Sequence, residues 1–366
     1  MDFNLEKLLI DVFDPQLGEK VLIIQDLPHG NLKLNKEWAQ RLKMAKEWHQ
    51  GFSRLAKKRR LKIYPILSYK ATEIDNAPLP KFGEIEKKKV KIEEILKEIN
   101  ICVALTEYSA TAPLTNFAKK FGQLRIASMP RISKRMESTA LTADYNGIAK
   151  KTSILASKLE KAVGAQVKFS TGHQFYFDLR NRKAGKDDGR CHPDKALEEI
   201  PLINLPSGEA FIAPYEGENA RLGASKTRGY IPIQENNEII VLKINKNKIV
   251  EVTGKGPMAE RKRKFFFSDK GRRNIAEFGL GCNDKAVVAG NVLEDEKAGF
   301  HWAYGLSNHL GGVTGVNGFE DPQNAVHTDI VYAPKSPLKI SSLILIYPDG
   351  VKEEIMKESK YQCLKD

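Results

Sequence analysis

Three absences in the sequence exclude whole classes of protein. No apolar run approaches the roughly 18 residues that a membrane-spanning helix needs, so we expect no transmembrane segment. No C-x-x-C pair occurs, and four cysteines scattered over 366 residues argue against a disulfide framework and a thiolate zinc site. We expect no secretory signal, because the first residues include Asp and Glu where such a signal is basic. We therefore expect a cytoplasmic protein.

Basic residues outnumber acidic ones. The 59 Lys and Arg against 46 Asp and Glu give a formal net charge of +13, and a basic protein can bind nucleic acid through phosphate contacts. The basic clusters at 57–62, 86–91 and 260–264 are separate, and no RNA-binding or helix-turn-helix signature accompanies them. Solvated surface is the simpler interpretation, and a nucleic-acid partner is the lesser alternative.

The first third of the chain alternates apolar strands with amphipathic helices. Buried strands are predicted at 20–26, 62–69, 101–107 and 124–130, and helices at 36–58, about 84–98 and about 112–121. This alternation favours a Rossmann-like α/β domain with a parallel sheet over residues 1–165, including a linking helix at about 137–165. A dinucleotide site is not expected, because no G-x-G-x-x-G follows the first strand.

The second half of the chain has a different pattern of predicted secondary structure. Short strands separated by Gly, Asn and Pro turns are predicted at 167–181, 209–216, 238–254, 285–293, 325–334 and 341–350, and "KINKNKIV" is typical of a hairpin. Residues 166–366 are therefore expected to form a mainly β (α+β) domain, which also carries the candidate metal-binding residues.

Two predicted strands of this half each carry a histidine that could bind a metal ion. In "GFHWAYG" (299–305), alternation sends the aromatic side chains to one side of the strand and His301 to the other. In "AVHTDIVYAP" (325–334), His327 and Asp329 share one face and offer an imidazole and a carboxylate to a metal ion.

Three glutamates lie in or near apolar, glycine-rich surroundings. Glu209 follows a Pro-Ser-Gly turn, Glu277 precedes "FGLG", and Glu296 comes five residues before His301. Burying a carboxylate is costly without a compensating cation. A solvated turn remains open for Glu296, a capping or turn hydrogen bond for Glu209, and an ion pair with Arg272 or Arg273 for Glu277. Together, however, four carboxylates and two imidazoles suit two divalent metal ions with a bridging carboxylate.

Four blocks of the sequence carry a resemblance. "NLPSGE", "NIAEFGLGCN", "EKAGFHWAYG" and "HTDIV" resemble, in order and spacing, the blocks of the aminopeptidase T and aminopeptidase S metallopeptidases. The resemblance extends over about 165–335 and is topological before that. It implies a Rossmann-like N-terminal domain, a β-rich catalytic domain, a cytoplasmic homodimer, a peptide substrate and a centre of two Zn, Co or Mn ions. The metal ligands that it implies are Glu209, Glu277, Glu296, His301, His327 and Asp329.

The sequence departs from this family at one important place. Family members have an active-site tyrosine seven residues after the histidine that matches His301, whereas this chain has Asn308 followed by His309. Gly299 stands where the family has threonine. The candidate catalytic residues are therefore Glu277, as base or bridging group, with Asn308 and His309.

Two other functions remain open. His301, His327 and Asp329 make a 2-His-1-carboxylate set suited to a non-haem iron dioxygenase, and ring-opening dihydroxypyridine dioxygenases are similar to this aminopeptidase fold. Glu209 and Glu277 favour a second metal and hydrolysis instead. The third alternative is a non-catalytic metal-binding relative with a basic partner surface.

Overall fold

The computed structural model describes residues 3–194 and 200–364, and the chain divides into two compact units. Unit 1 comprises Met1–Ala149, Asp187–Ser207 and Asp284–Ala286, and unit 2 comprises Lys150–Lys186, Gly208–Asn283 and Val287–Asp366. The sequence suggests a single boundary near 165, whereas unit 1 also contains two later segments. All of the candidate site residues lie in unit 2.

Unit 1 contains alternating helices and strands. Its helices are α1 Leu5–Phe13, α2 Lys36–Arg59, α3 Ile92–Leu96 and α4 Thr111–Lys120, and α5 Tyr145–Lys161 continues into unit 2. Its strands are β1 Lys20–Leu27, β2 Lys62–Ile63, β3 Leu67–Lys70, β4 Phe82–Ile85, β5 Lys88–Lys91, β6 Ile101–Leu105, β7 Arg125–Ser128 and β11 Leu202–Asn204. Within residues 3–194 and 200–364, no helix combines the length and apolar character needed to cross a bilayer.

These strands form one mixed eight-stranded sheet in the order β11-β7-β6-β1-β3-β4-β5, with β2 also paired to β1. The pairs from β11 to β3 are parallel, which confirms the α/β prediction. The helix predicted at about 84–98 is wrong over its first half. Residues 82–91 form an antiparallel hairpin that turns at Glu86 and Lys87, both with positive φ, because the chain pairs with the edge of β3 there.

Unit 2 is mainly β, as predicted. Its strands are β8 Gly164–Phe169, β9 Gln174–Asp178, β10 Gly185–Asp187, β12 Glu209–Ile212, β13 Arg228–Glu235, β14 Glu238–Asn245, β15 Lys248–Thr253, β16 Ile275–Gly281, β17 Phe300–Gly305, β18 His327–Tyr332, β19 Ile340–Ile346, β20 Lys352–Lys357 and β21 Lys360–Tyr361. Its helices are α6 Pro257–Phe267 and α7 Val292–Asp295. The "KINKNKIV" hairpin is confirmed, with Lys246 and Asn247 in the left-handed region that such a turn requires.

The strand predicted at 285–293 is wrong. This segment is irregular until α7 begins, and the side chain of Asp295 accepts the backbone N–H groups of Ala289 and Gly290 at 2.8 and 2.9 Å. A side chain therefore satisfies donors that a neighbouring strand would otherwise take.

Two antiparallel sheets pack on each other in unit 2. The five-stranded sheet has the order β10-β12-β16-β17-β18, and the eight-stranded sheet of this unit has the order β15-β14-β13-β9-β8-β19-β20-β21. Their facing side chains form one apolar core, in which the rings of Phe177 and Phe278 lie 5.0 Å apart. This core occupies one face of each sheet, so polar residues of both sheets concentrate on the opposite faces.

Candidate metal centre

The register of the five-stranded sheet places the candidate ligands on one face. Glu209 pairs with Gly281, His301 with Gly279, and Ala303 with both Glu277 and Asp329. Residues directly opposite each other in a sheet share a face. The charged side chains are therefore separated by Gly and Ala, and the aromatic side chains of β17 pack into the core behind them.

Glu209, Glu277 and His301 form the first donor group. The Nε2 atom of His301 lies 3.3 Å from Oε2 of Glu209 and 3.6 Å from Oε1 of Glu277, and the histidine is 1% exposed. Its Nδ1 donates to the carbonyl of Gly299 at 3.2 Å. Because a carbonyl only accepts, Nδ1 holds a proton, so Nε2 is the ring atom that faces the two carboxylates.

Glu277, His327 and Asp329 form the second donor group. The Nε2 atom of His327 lies 3.0 Å from Oε2 of Glu277 and 3.7 Å from Oδ1 of Asp329. Its Nδ1 donates to the carbonyl of Leu306 at 2.6 Å, so this ring is oriented in the same way as His301. Backbone acceptors of this kind commonly orient histidine ligands.

Glu277 belongs to both groups. Its Oε1 faces His301 and its Oε2 faces His327, at the distances given above. One carboxylate between two sets of nitrogen and oxygen donors is the arrangement that a bridging ligand requires.

Two buried oxygens support a fit to metal ions. Oε2 of Glu209 and Oδ1 of Asp329 accept no hydrogen bond from the residues that the structure describes. One of these oxygens belongs to each donor group. Because a buried carboxylate oxygen without a donor is costly, and because imidazole with carboxylate suits Zn, Mn, Co or Fe, the residues present fit a divalent cation in either group.

Glu296 lies outside both donor groups and instead bonds to a buried lysine. The ammonium of Lys297 donates to Oε1 of Glu209 and to Oε1 of Glu296, both at 2.6 Å, and the side chain of Lys297 is 1% exposed. Lys297 therefore brings a positive charge between two carboxylates. Lys297 is not predictable as a buried residue from the sequence, because the run "EDEK" is typical of a solvated turn.

The pKa values follow from these contacts. Burial opposes the charge of Glu209, but Lys297 and His301 outweigh it and lower the pKa of Glu209. Burial raises the pKa of Glu296 well above its usual range, and the charge of Lys297 offsets this only in part. Burial lowers the pKa of both His301 and His327, but their carboxylate neighbours outweigh it and raise the pKa of each well above its usual range.

Asn308 and His309 lie in a loop beside the second donor group. The rings of His309 and His327 are 4.7 Å apart, and loss of solvation followed by the charge of His327 lowers the pKa of His309 to about 4. Glu216 holds this loop, accepting from Oγ of Ser307 at 2.6 Å, from the backbone N–H of Val313 at 2.8 Å and from the hydroxyl of Thr314. The sequence carries no signal for this role of Glu216.

Comparison with known proteins defines the fold. No protein-family model matches the chain, and no curated protein matches it. A structure of 2,5-dihydroxypyridine dioxygenase from Pseudomonas putida KT2440 is similar, with a TM-score of 0.64, 15% identity and coverage of 99% of this chain and 98% of that one. Wild-type AmpT from Thermus thermophilus is similar with a TM-score of 0.60, 13% identity and coverage of 98% of both chains. The chain has the AmpT fold.

The AmpT fold confirms the structural part of the resemblance to the aminopeptidases. The same fold is present in the dioxygenase, so it is compatible with more than one activity. Function therefore has to be argued from the residues of the centre.

Proposed function

We propose that the chain is a metal-dependent hydrolase that releases N-terminal amino acids from peptides through a two-metal centre. The shared position of Glu277 carries this proposal, because its two oxygens face two different histidines. A single metal ion would need only one of these donor groups.

Each donor group has its own role in the proposal. Glu209 and His301 would hold one ion, His327 and Asp329 the other, and Glu277 would bridge them. Divalent ions at such sites polarise a carbonyl and lower the pKa of water towards neutrality. The Gly299 and Leu306 carbonyls keep Nδ1 of each histidine protonated, and so keep each Nε2 directed at the carboxylates.

Glu296 is the proposed proton acceptor. Glu277 is used in both donor groups, whereas Glu296 belongs to neither, and Lys297 keeps it beside Glu209. Burial raises its pKa, which makes it a better proton acceptor than an exposed carboxylate. His309, whose ring lies beside that of His327, and its sequence neighbour Asn308 are proposed to contact the substrate.

The test combines metal analysis with a peptidase assay. Metal-free protein is titrated with Zn, Mn or Co by calorimetry, and release from a panel of amino-acid p-nitroanilides is then measured. We expect two ions per chain, activity that depends on them, and no activity on N-acetylated substrates. Glu277→Gln should abolish binding of at least one ion, while Glu235→Gln, on an ion pair with Lys262, should leave both ions and activity intact.

Other results would contradict the proposal. One iron per chain, with oxygen consumption on dihydroxylated rings and no peptidase activity, would favour the dioxygenase, for which His301, His327 and Asp329 supply the ligand set. Metal binding with neither activity would favour a non-catalytic relative.

We also propose a cytoplasmic homodimer, on the strength of the resemblance to the aminopeptidases. Sedimentation of the full chain should give twice the mass of 41.1 kDa.

A further inference from the structure

A groove of about 1090 Å³ lies on the eight-stranded sheet of unit 2, away from the candidate metal centre. Its lining includes three cations and two tyrosines, namely Lys226, Arg228, Lys243, Tyr176 and Tyr230. Their neighbours in sequence on these strands, such as Phe175, Ile231 and Leu242, point into the core. Since side chains alternate along a strand, Arg228, Lys243 and the two tyrosines occupy the outer face, and the exposed Lys226 lies just before β13.

The strand register sets an aromatic ring beside a cation in two adjacent rows. Tyr176 of β9 pairs directly with Arg228 of β13, and Tyr230 of β13 pairs directly with Lys243 of β14. Neighbouring strands are about 4.8 Å apart, so each ring has a cation as its immediate neighbour. The two tyrosines lie on adjacent strands and differ by one row, a diagonal spacing of roughly 7–8 Å.

Positive charge in the groove is in excess. Lys226 and Arg228 are exposed, and among the described residues no carboxylate pairs with either. Lys243 lies 3.5 Å from Glu251 at the margin, so this cation is partly neutralised. The three Lys and Arg clusters noted in the sequence at 57–62, 86–91 and 260–264 do not contribute to this lining.

Amide side chains extend the first row on both sides. Gln166 pairs with Tyr176, and Asn245 pairs with Arg228, so the row reads amide, ring, cation, amide across four strands. Amides both donate and accept, as recognition of base edges requires.

We propose that this groove binds single-stranded nucleic acid. An unpaired strand presents phosphates to the cations and leaves its bases free to stack on Tyr176 and Tyr230. A duplex keeps its bases stacked internally, so they cannot stack on the tyrosines. An acidic peptide would bind the cations alone and would leave the two rings without a role. A second copy of the chain would bring the same positive charges face to face.

The probe is fluorescein-labelled oligo(dT), with binding to the full chain followed by anisotropy. We expect the logarithm of the affinity to fall with the logarithm of salt concentration with a slope of about −2, as expected for about three phosphate contacts to a single strand. Tyr230→Ala should weaken binding at least about fivefold by loss of stacking. Tyr230 is 45% exposed, so the fold should not depend on it.

Matched variants distinguish binding in this groove from nonspecific attraction to the basic protein surface. Arg228→Gln with Lys226→Gln should weaken binding at least tenfold, whereas Lys57→Gln with Lys58→Gln, which removes the same charge from α2, should leave it within twofold. Metal binding should be unchanged in all of these variants, since the groove contains none of the donor residues.

Several outcomes would overturn the proposal. Equal affinity for duplex DNA of the same length, or affinity for polyglutamate that Tyr230→Ala does not change, would show plain charge attraction. Dissociation of a dimer by the Arg228 and Tyr230 variants would identify the groove as a subunit interface. Absence of oligo(dT) binding at low salt would also refute it.

Discussion

His301 lies directly across from Gly279 in the neighbouring strand, and its ring occupies the space that a Cβ on Gly279 would need. The glycine is therefore a steric condition for the position of the imidazole. It lets Nε2 reach Glu209 and Glu277 at once.

Gly279→Ala should displace the His301 ring and weaken metal binding by at least about tenfold, the loss typical when the surroundings of a ligand change. Calorimetric titration with zinc measures it. Gly122→Ala is the matched control, because no atom lies within 4 Å of the added Cβ. Unchanged affinity in Gly279→Ala would mean that His301 is not a ligand.

Asp329→Asn keeps the shape of the side chain but removes an anion from the second donor group. The variant should melt close to the metal-free wild type and respond little to added metal, because a ligand bound only to the folded state stabilises it. His327→Ala should behave alike. Thermal melts with and without chelator measure this, and a variant that gains stability from metal as the wild type does would show that Asp329 has only a structural role.

Lys297→Met should destabilise the metal-free protein by about 3–5 kcal/mol, because it leaves Glu209 and Glu296 buried without their shared cation. Metal should then raise the melting temperature more in this variant than in the wild type. Adding Glu296→Gln should recover part of the loss, since one anion is removed. Urea unfolding with and without metal measures these differences, and an unaltered metal-free stability would contradict them.

Glu216→Gln should loosen the loop that carries Asn308 and His309 without altering the donor groups. Its carboxylate accepts two hydroxyl groups and a backbone N–H from residues 307–314, and the amide would place donors against them. We expect faster hydrogen exchange at 307–314 and a changed kcat/KM, with zinc affinity within twofold of wild type. A parallel loss of zinc would mean that the loop shapes the donor groups.

Asp269→Asn should lower the free energy of unfolding, because Asp269 holds the segment that precedes β18. Asp269 accepts the backbone N–H groups of Gly271, Glu320 and Asp321, and these bonds outweigh burial and lower its pKa. Because the pKa of Asp269 is lower in the folded state, its ionised carboxylate stabilises the protein at pH values above the unfolded pKa of about 3.9. This stabilisation is lost as the pH falls through the folded pKa.

The free energy of unfolding of the wild type should therefore exceed that of Asp269→Asn by about 1–3 kcal/mol at neutral pH. This difference should become smaller below about pH 4. Urea unfolding at several pH values checks this. Asp349→Asn, at an exposed turn, is the control. A gap that persists unchanged in acid would exclude ionisation as the cause.

The sequence alone determined which side chains share a face. In 299–305 and 327–329 the alternation of small, aromatic and charged residues specifies two-faced strands, because the period of a strand is local in sequence. The same reasoning predicted the parallel α/β sheet and the 238–254 hairpin. It failed at 84–98 and 285–293, where long-range pairing and the side chain of Asp295 take up the backbone hydrogen bonds.

Only the tertiary structure decided which strands are neighbours. Glu209, Glu277, His301 and Asp329 converge because β12, β16, β17 and β18 are adjacent, and Lys297 is buried because the chain before β17 passes closely over Gly281. The pairing of Tyr176 with Arg228 arises in the same way. Strand adjacency depends on the packing and hydrogen bonding of segments far apart in the chain, so no local pattern of residues encodes it.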